Sequence, residues 1–124
     1  MKMETLSTLR IYIPSGTRVK ASGFMKKLTA PTLSHYLLRQ ARAEGVPQAI
    51  IHNVSAGYLV GMKISYSHHE IKAGAHPECL ELIGHVAELK KFIADYEEHL
   101  EGLRCIISMS EEHTIISEEE YYHE

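Results

Sequence analysis

The sequences EGVPQAII at residues 44–51 and EGLRCII at residues 101–107 decide the fold, because each joins a helix pattern to a strand pattern. In both, an acidic residue and a glycine come before an apolar run. Glycine adopts the left-handed conformation past a helix end most easily, so Gly45 and Gly102 predict two helix stops. The same passage from helix to strand, occurring twice, indicates two copies of one half-fold.

Outward from these two turns, hydrophobic periodicity predicts two helices and four strands. Apolar side chains at helical spacing predict helices over about 31–44 and 86–100, the first beginning near Pro31. The order strand, helix, strand, strand, helix, strand is that of a ferredoxin-like split β-α-β fold, βαββαβ. We therefore expect an α+β protein with an antiparallel four-stranded sheet and both helices on one face. The strands are predicted at 9–13, 48–55, 78–84 and 104–110.

Apolar side chains occur on both faces of the predicted strands. Ile11 and Tyr12 point to opposite faces of a sheet, as do Ile106 and Ile107. Two helices on one side leave the second face open to water. This pattern predicts that self-association buries the second face.

Length and composition indicate one globular domain. The chain has 124 residues, 44% of them hydrophobic, and a formal charge of −3, which gives no positive field toward nucleic acid or an acidic membrane. The sequence contains no run of 18 apolar residues of the kind that predicts a membrane-spanning helix, and its N-terminal stretch lacks a secretory pattern. We therefore expect a cytoplasmic protein. We place the domain at 1–117 and an acidic C-terminal tail at 118–124.

The chain resembles the PII-like signalling proteins, in particular the smaller relatives of nitrogen-regulatory PII. The likeness covers residues 6–116 and rests on the stretches LRIYIPSG, LLRQARAEGVPQAII, SAGY and HVAELKKFIADYEEHLEGLRCII. It implies a homotrimer, with a fold similar to that of the trimeric CutA proteins, and an adenine nucleotide bound as effector between subunits. It also implies that residues 57–75 form the T-loop, through which such proteins control a membrane transporter or an enzyme.

Five residues are candidates for nucleotide contact. Gly102 and Arg104 match the position of the phosphate-binding loop of PII, and a guanidinium beside exposed N–H groups suits phosphate. The alternative for Arg104 is an ordinary surface arginine at a strand start. Gly57 and Gly61 flank the apolar stretch of Tyr58, Leu59 and Val60, and an adenine base fits between such groups and a closely approaching backbone. The alternative is that both glycines only allow a hairpin turn.

Histidine is frequent, at nine of the 124 residues, and His68, His69, His76 and Cys79 lie close together in the sequence. Imidazole and thiolate ligands suit Zn or Cu, which predicts, as the alternative function, a metal-responsive or metal-tolerance protein. Against this, His68 and His69 are adjacent and point to opposite sides of an extended chain. A place in the core also explains Cys79.

Other function classes receive less support. The RNA-recognition motif shares this element order but stacks bases on aromatic residues of its third strand, and ECLELIG contains none. An amino-acid-sensing domain of the ACT type also has this order, and the residues do not separate its ligands from nucleotides. The chain carries no serine-hydrolase, P-loop or paired-carboxylate signature, so we expect no enzyme.

Overall fold

The fold is built on a four-stranded antiparallel sheet. The computed structural model describes residues 6–19, 30–66 and 76–115, and the predicted tail at 118–124 lies outside them. Within the described residues the elements in chain order are β1 (Leu6–Pro14), α1 (Leu33–Ala43), β2 (Gln48–Asn53), β3 (Ala56–Gly57), β4 (Ser65–Tyr66), β5 (Pro77–His85), α2 (Val86–Asp95), α3 (Glu97–Leu100) and β6 (Arg104–Met109).

Strand β1 lies inside the sheet, whose strand order is β2-β5-β1-β6. It pairs with β5 over its whole length, from Leu6 opposite His85 to Pro14 opposite Pro77. Strand β6 pairs with the other side of β1, and β2 pairs with β5, all antiparallel. The prediction of an α+β protein with a four-stranded antiparallel sheet is confirmed at this level.

The core lies on one face of the sheet. Alternate residues of β1 point to this face, and Leu9, Ile11 and Ile13 have no exposed surface. Apolar side chains at helical spacing on α1 and α2 cover them, because each helix presents one apolar stripe. Leu37 of α1 and Leu89 of α2 are fully buried in the same cluster.

Gly45 and Gly102 have the left-handed conformation that the repeated sequence predicts, with φ of 82° and 80°. After α1, the N–H of Gly45 donates to the carbonyl of Arg42 at 3.1 Å, and the N–H of Val46 donates to that of Ala41 at 3.0 Å. These two bonds form a Schellman motif, which satisfies carbonyls that the helix end leaves unpaired. The glycines therefore act as helix stops.

The single helix predicted over 86–100 is wrong, because this segment forms two helices. Helix α2 ends at Asp95, and α3 begins at Glu97, with Tyr96 between them at φ −113° and ψ 21°. The ring of Tyr96 lies 6.1 Å from that of Tyr36, and its hydroxyl accepts a hydrogen bond from Gln40 at 3.1 Å. The break between the helices thus coincides with contacts to α1. Hydrophobic periodicity within residues 86–100 cannot predict these contacts, because it describes one segment alone.

The second sheet face carries a charged group between two exposed isoleucines. Arg10 Nε donates to Glu81 Oε1 at 3.2 Å across β1 and β5, and His52 Nε2 lies 3.2 Å from Glu81 Oε2. In the row of Arg10 and Glu81, Ile50 lies on β2 and Ile106 on β6, 40% and 41% exposed. This face therefore combines apolar edges with an ion pair that is complete within one chain.

The helices of the described residues give no sign of membrane insertion. None of them combines the length and the apolar character that crossing a bilayer requires.

Candidate functional site

Residues 56–66 form a β-hairpin, the structure that the alternative interpretation of Gly57 and Gly61 predicts for the start of the loop. Strands β3 and β4 pair through Ala56 with Tyr66 and through Gly57 with Ser65. The predicted T-loop of residues 57–75 therefore begins as regular structure, and its residues 67–75 lie outside the described part of the chain.

The tip of the hairpin is a tight turn that depends on Gly61. The N–H of Met62 donates to the carbonyl of Leu59 at 2.9 Å, and Gly61, the third residue of this turn, has φ of 79°. A positive φ at this position alone is the mark of a type II turn, where glycine is preferred. The turn accounts for Gly61 as the hairpin interpretation proposes.

His76 anchors the hairpin to the sheet. Its side chain is buried, with Nε2 at 2.6 Å from the carbonyl of Val54 and Nδ1 at 2.9 Å from Ser65 Oγ. A carbonyl only accepts, so Nε2 carries a hydrogen, and in the neutral ring Nδ1 then accepts from the Ser65 hydroxyl. The His76 carbonyl accepts from the N–H of Ser15 at 2.7 Å. One residue thus joins both roots of the hairpin to the segment after β1.

A cleft of about 200 Å³ lies between the base of the hairpin and the sheet. Gly57 and Tyr58 line it from the hairpin, and Tyr12, Pro77 and Cys79 line it from the sheet. A methyl group on Gly57 would lie 3.4 Å from Pro77 Cγ, in van der Waals contact, so the two walls lie close together at this point. The wall is mostly aromatic and apolar, which suits a flat organic ring.

Arg104 lies beside this cleft on the same sheet face. Tyr12 is directly opposite Cys79 on one side and Arg104 on the other, so the three side chains share one face. No basic residue is among the described residues that line the cleft. One acidic residue, Glu78, does line it, and Glu78 Oε1 accepts a hydrogen bond from Ser34 Oγ at 2.7 Å. The exposed Arg104 therefore places a positive charge one strand away from the aromatic and apolar part of the wall.

The predicted nucleotide contacts are only partly brought together. Gly57 and Tyr58 line the cleft, and Arg104 is next to one of its walls. Gly61 lies at the hairpin tip. Gly102 lies in the turn before β6, where its positive φ ends the helical segment. The two residues outside the cleft thus have conformational roles in their turns.

The described part of the chain does not bring the predicted metal ligands together into one site. His68 and His69 lie outside those residues, and both ring nitrogens of His76 already have hydrogen-bond partners. Burial and the negative charge of Glu81 raise the pKa of the Cys79 thiol, which disfavours the thiolate that metals bind. The described part of the chain contains no group of three or more His, Cys, Asp or Glu side chains that could hold a metal ion.

A second cleft, of about 400 Å³, lies between the end of α1 and α2. Glu44, Glu88 and Lys91 line it together with apolar groups. Lys91 Nζ is 2.5 Å from Asp95 Oδ2 and 3.8 Å from Glu44 Oε1, so its charge is compensated. This cleft contains none of the residues predicted to bind a ligand.

Sequence reasoning missed Tyr12 as a wall of the first cleft and His76 as an anchor of the hairpin. The alternation of β1 shows that Tyr12 faces away from Ile11, but only strand pairing shows that it lies beside Cys79 and Arg104. The partners of His76 are 11 and 22 positions away, and no local pattern relates them.

No protein-family model matches this chain, and no curated protein matches it. The function is therefore inferred from the geometry of the cleft together with the sequence resemblance.

Proposed function

We propose that this protein is a PII-like regulator, which binds an adenine nucleotide in the cleft at the base of the hairpin and controls a partner through the segment 57–75. The observation that carries this proposal is that the cleft has one wall on the sheet and one on the hairpin. A ligand that contacts both walls favours one position of the hairpin over others. A membrane transporter or an enzyme is the partner that the resemblance implies.

The strand order supports the finer fold assignment within this proposal. In the order β2-β5-β1-β6, the first and third long strands lie inside, and the second and fourth lie at the edges. This is the arrangement expected when two β-α-β units interleave in a ferredoxin-like fold. The repeated helix-to-strand turns at Gly45 and Gly102 agree with the same duplication.

The cleft has room for the base of a nucleotide but not for its phosphates. Its volume of about 200 Å³ is below the roughly 300–1,000 Å³ typical of pockets that enclose a whole ligand. We therefore place the base between Tyr12 and the hairpin wall at Tyr58, and the phosphates outside, toward Arg104. A guanidinium recognises phosphate through paired N–H donors, so Arg104 suits this role.

The nucleotide assignment predicts that Arg104→Ala weakens ATP binding about tenfold to a hundredfold, because a hydrogen bond to a charged group contributes about 1.5–3 kcal/mol. The measurement is a calorimetric titration of chelator-treated protein with ATP, ADP, AMP and cyclic AMP. Arg39→Ala is the matched control, since Arg39 is exposed on α1 and belongs to neither wall. Unchanged affinity in Arg104→Ala would remove Arg104 from the site.

A thermal-shift screen with the same nucleotides and with Zn²⁺ and Cu²⁺ tests the effector class. A ligand at 100 times its Kd adds about 2.7 kcal/mol of stability, which is readily detected. A nucleotide-specific rise supports the regulator. A rise with metal alone contradicts it and favours the metal-responsive alternative.

We further propose that the assembly is a homotrimer formed through the second sheet face. Ile50 and Ile106 are the exposed apolar edges of this face, and association removes them from water.

This assembly predicts that Ile50→Glu lowers the sedimentation coefficient from that of a trimer to that of a monomer at micromolar concentration, because the interface would bury a second carboxylate directly opposite Glu81. The control is Val60→Glu, since Val60 is 82% exposed at the hairpin tip and away from the sheet face. A wild-type protein that sediments as a monomer would contradict the assembly.

A further inference from the structure

The hairpin is short and exposes several of its large apolar side chains. Each of its two strands has only two residues, and Tyr58, Val60 and Ile64 are 65%, 82% and 60% exposed. An isolated two-stranded hairpin is marginally stable in water, and these side chains bury little apolar surface. Leu59 and Met62 are half-buried, and polar contacts at the base add to the free energy that holds the hairpin against the sheet.

His76 provides two of those polar contacts, one to each root of the hairpin. Nε2 donates to Val54 before β3, and Nδ1 accepts from Ser65 on β4. Val54 also lines the cleft, as does Pro77, which follows His76 in the chain. The same side chain thus touches the hairpin and fixes the wall of the cleft.

We propose that His76 is a latch: its two hydrogen bonds hold the hairpin of residues 56–66 on the sheet, and their loss lets the hairpin leave and the cleft open. Opening breaks the bond to Ser65 first, because Ser65 belongs to the hairpin itself, whereas Val54 lies outside it. A small change at His76 therefore changes access to the whole cleft, since one hairpin forms an entire wall.

Cys79 reports the state of this latch. It lines the cleft and is 8% exposed while the hairpin is docked. Burial is the first cause that raises the pKa of its thiol, so opening both exposes the sulfur and increases its thiolate fraction. Cys105 is an internal control, because it packs on the core cluster on the opposite face of the sheet.

The test compares the rates at which iodoacetamide modifies Cys79 and Cys105. The folded full-length protein is labelled and then digested, and mass spectrometry measures the labelled fraction of each cysteine peptide. We expect Ser65→Ala to speed modification of Cys79 about tenfold, because a buried ring nitrogen then has no donor. We expect Cys105 to keep its rate. Ser65→Thr retains the hydroxyl and restores the wild-type rate, which a loss of packing at this position would not explain.

Two results would overturn the latch. One is an unchanged Cys79 rate in Ser65→Ala. The other is an equal acceleration of Cys79 and Cys105, because this would show global unfolding instead of a local opening; thermal melts of each variant check it. His76→Ala gives a second measure, since it removes both hydrogen bonds and should speed modification of Cys79 at least as much as Ser65→Ala while Cys105 keeps its rate.

The coupling of the latch to a ligand rests on the proposed function. ATP in the cleft contacts both walls and should slow modification of Cys79 in the wild-type protein, with Cys105 unaffected. If ATP has no effect while Ser65→Ala still speeds Cys79, the latch is supported and the nucleotide assignment fails. If ATP slows Cys79 and Ser65→Ala does not speed it, the nucleotide assignment is supported and the latch fails.

Discussion

Replacing Phe92 with alanine is expected to lower the free energy of unfolding by about 3–5 kcal/mol, a large share of the roughly 5–15 kcal/mol typical of a natural protein. Phe92 is 1% exposed and has the largest volume of the fully buried side chains among the described residues. Its ring centroid lies 4.6 Å from that of Tyr96, at the break between α2 and α3. Truncation removes apolar contact with the core and leaves a cavity where the two helices meet.

Urea titration monitored by circular dichroism measures this loss. Phe92→Leu should cost less, because it keeps most of the apolar volume. Lys90→Ala, on the exposed side of α2, should stay within about 0.5 kcal/mol of wild type. All variants are compared at one protein concentration, since association makes stability depend on it. A loss below about 1 kcal/mol in Phe92→Ala would contradict the cost expected for a cavity at this position.

The second large effect is expected from the two repeated turns. Gly45→Ala and Gly102→Ala should each lower the free energy of unfolding by about 1–2 kcal/mol, the cost of holding an L-residue in the left-handed region. A Cβ atom at either position meets nothing within 4 Å, so the cost comes from the backbone and not from a clash. The double variant should lose the sum, because the two turns precede strands at opposite ends of the sheet.

Denaturant unfolding of the two single variants and the double variant tests this expectation. Asparagine tolerates the left-handed region better than alanine, so Gly45→Asn and Gly102→Asn should recover part of the loss. If alanine proves as stable as glycine at either position, the positive φ there is not required for the fold. An asparagine that is worse than alanine would point to a steric cause instead.

The sheet could be predicted from the sequence because its determinants are local. Alternating apolar residues specify β1, and glycine past a helix end specifies the left-handed turn at Gly45, whatever the rest of the chain does. The break at Tyr96 could not be predicted, because its contacts are with residues of α1. The strands of the hairpin are too short to give a periodic pattern.

Local sequence patterns identify the hairpin side of the candidate site, and the family resemblance adds Arg104. Gly57 and Tyr58 form a local pattern, and both line the cleft. Tyr12 and Arg104 are neighbours only because β1 pairs with β6. The order of elements implies this pairing but does not give the register that places the two residues opposite each other. His76 was predicted as a metal ligand from its residue type, whereas its nitrogens serve Val54 and Ser65, two partners that residue type does not identify.

The ion pair on the second sheet face determines how an assembly through that face would respond to its surroundings. Glu81 is 14% exposed in its side chain and has both oxygens engaged by Arg10 and His52 of its own chain. A second copy therefore needs no charge of its own to cover it. Binding would then draw on apolar area, and cooling should loosen it, since the hydrophobic driving force weakens at low temperature. Added salt, which screens attractions between chains, should matter little.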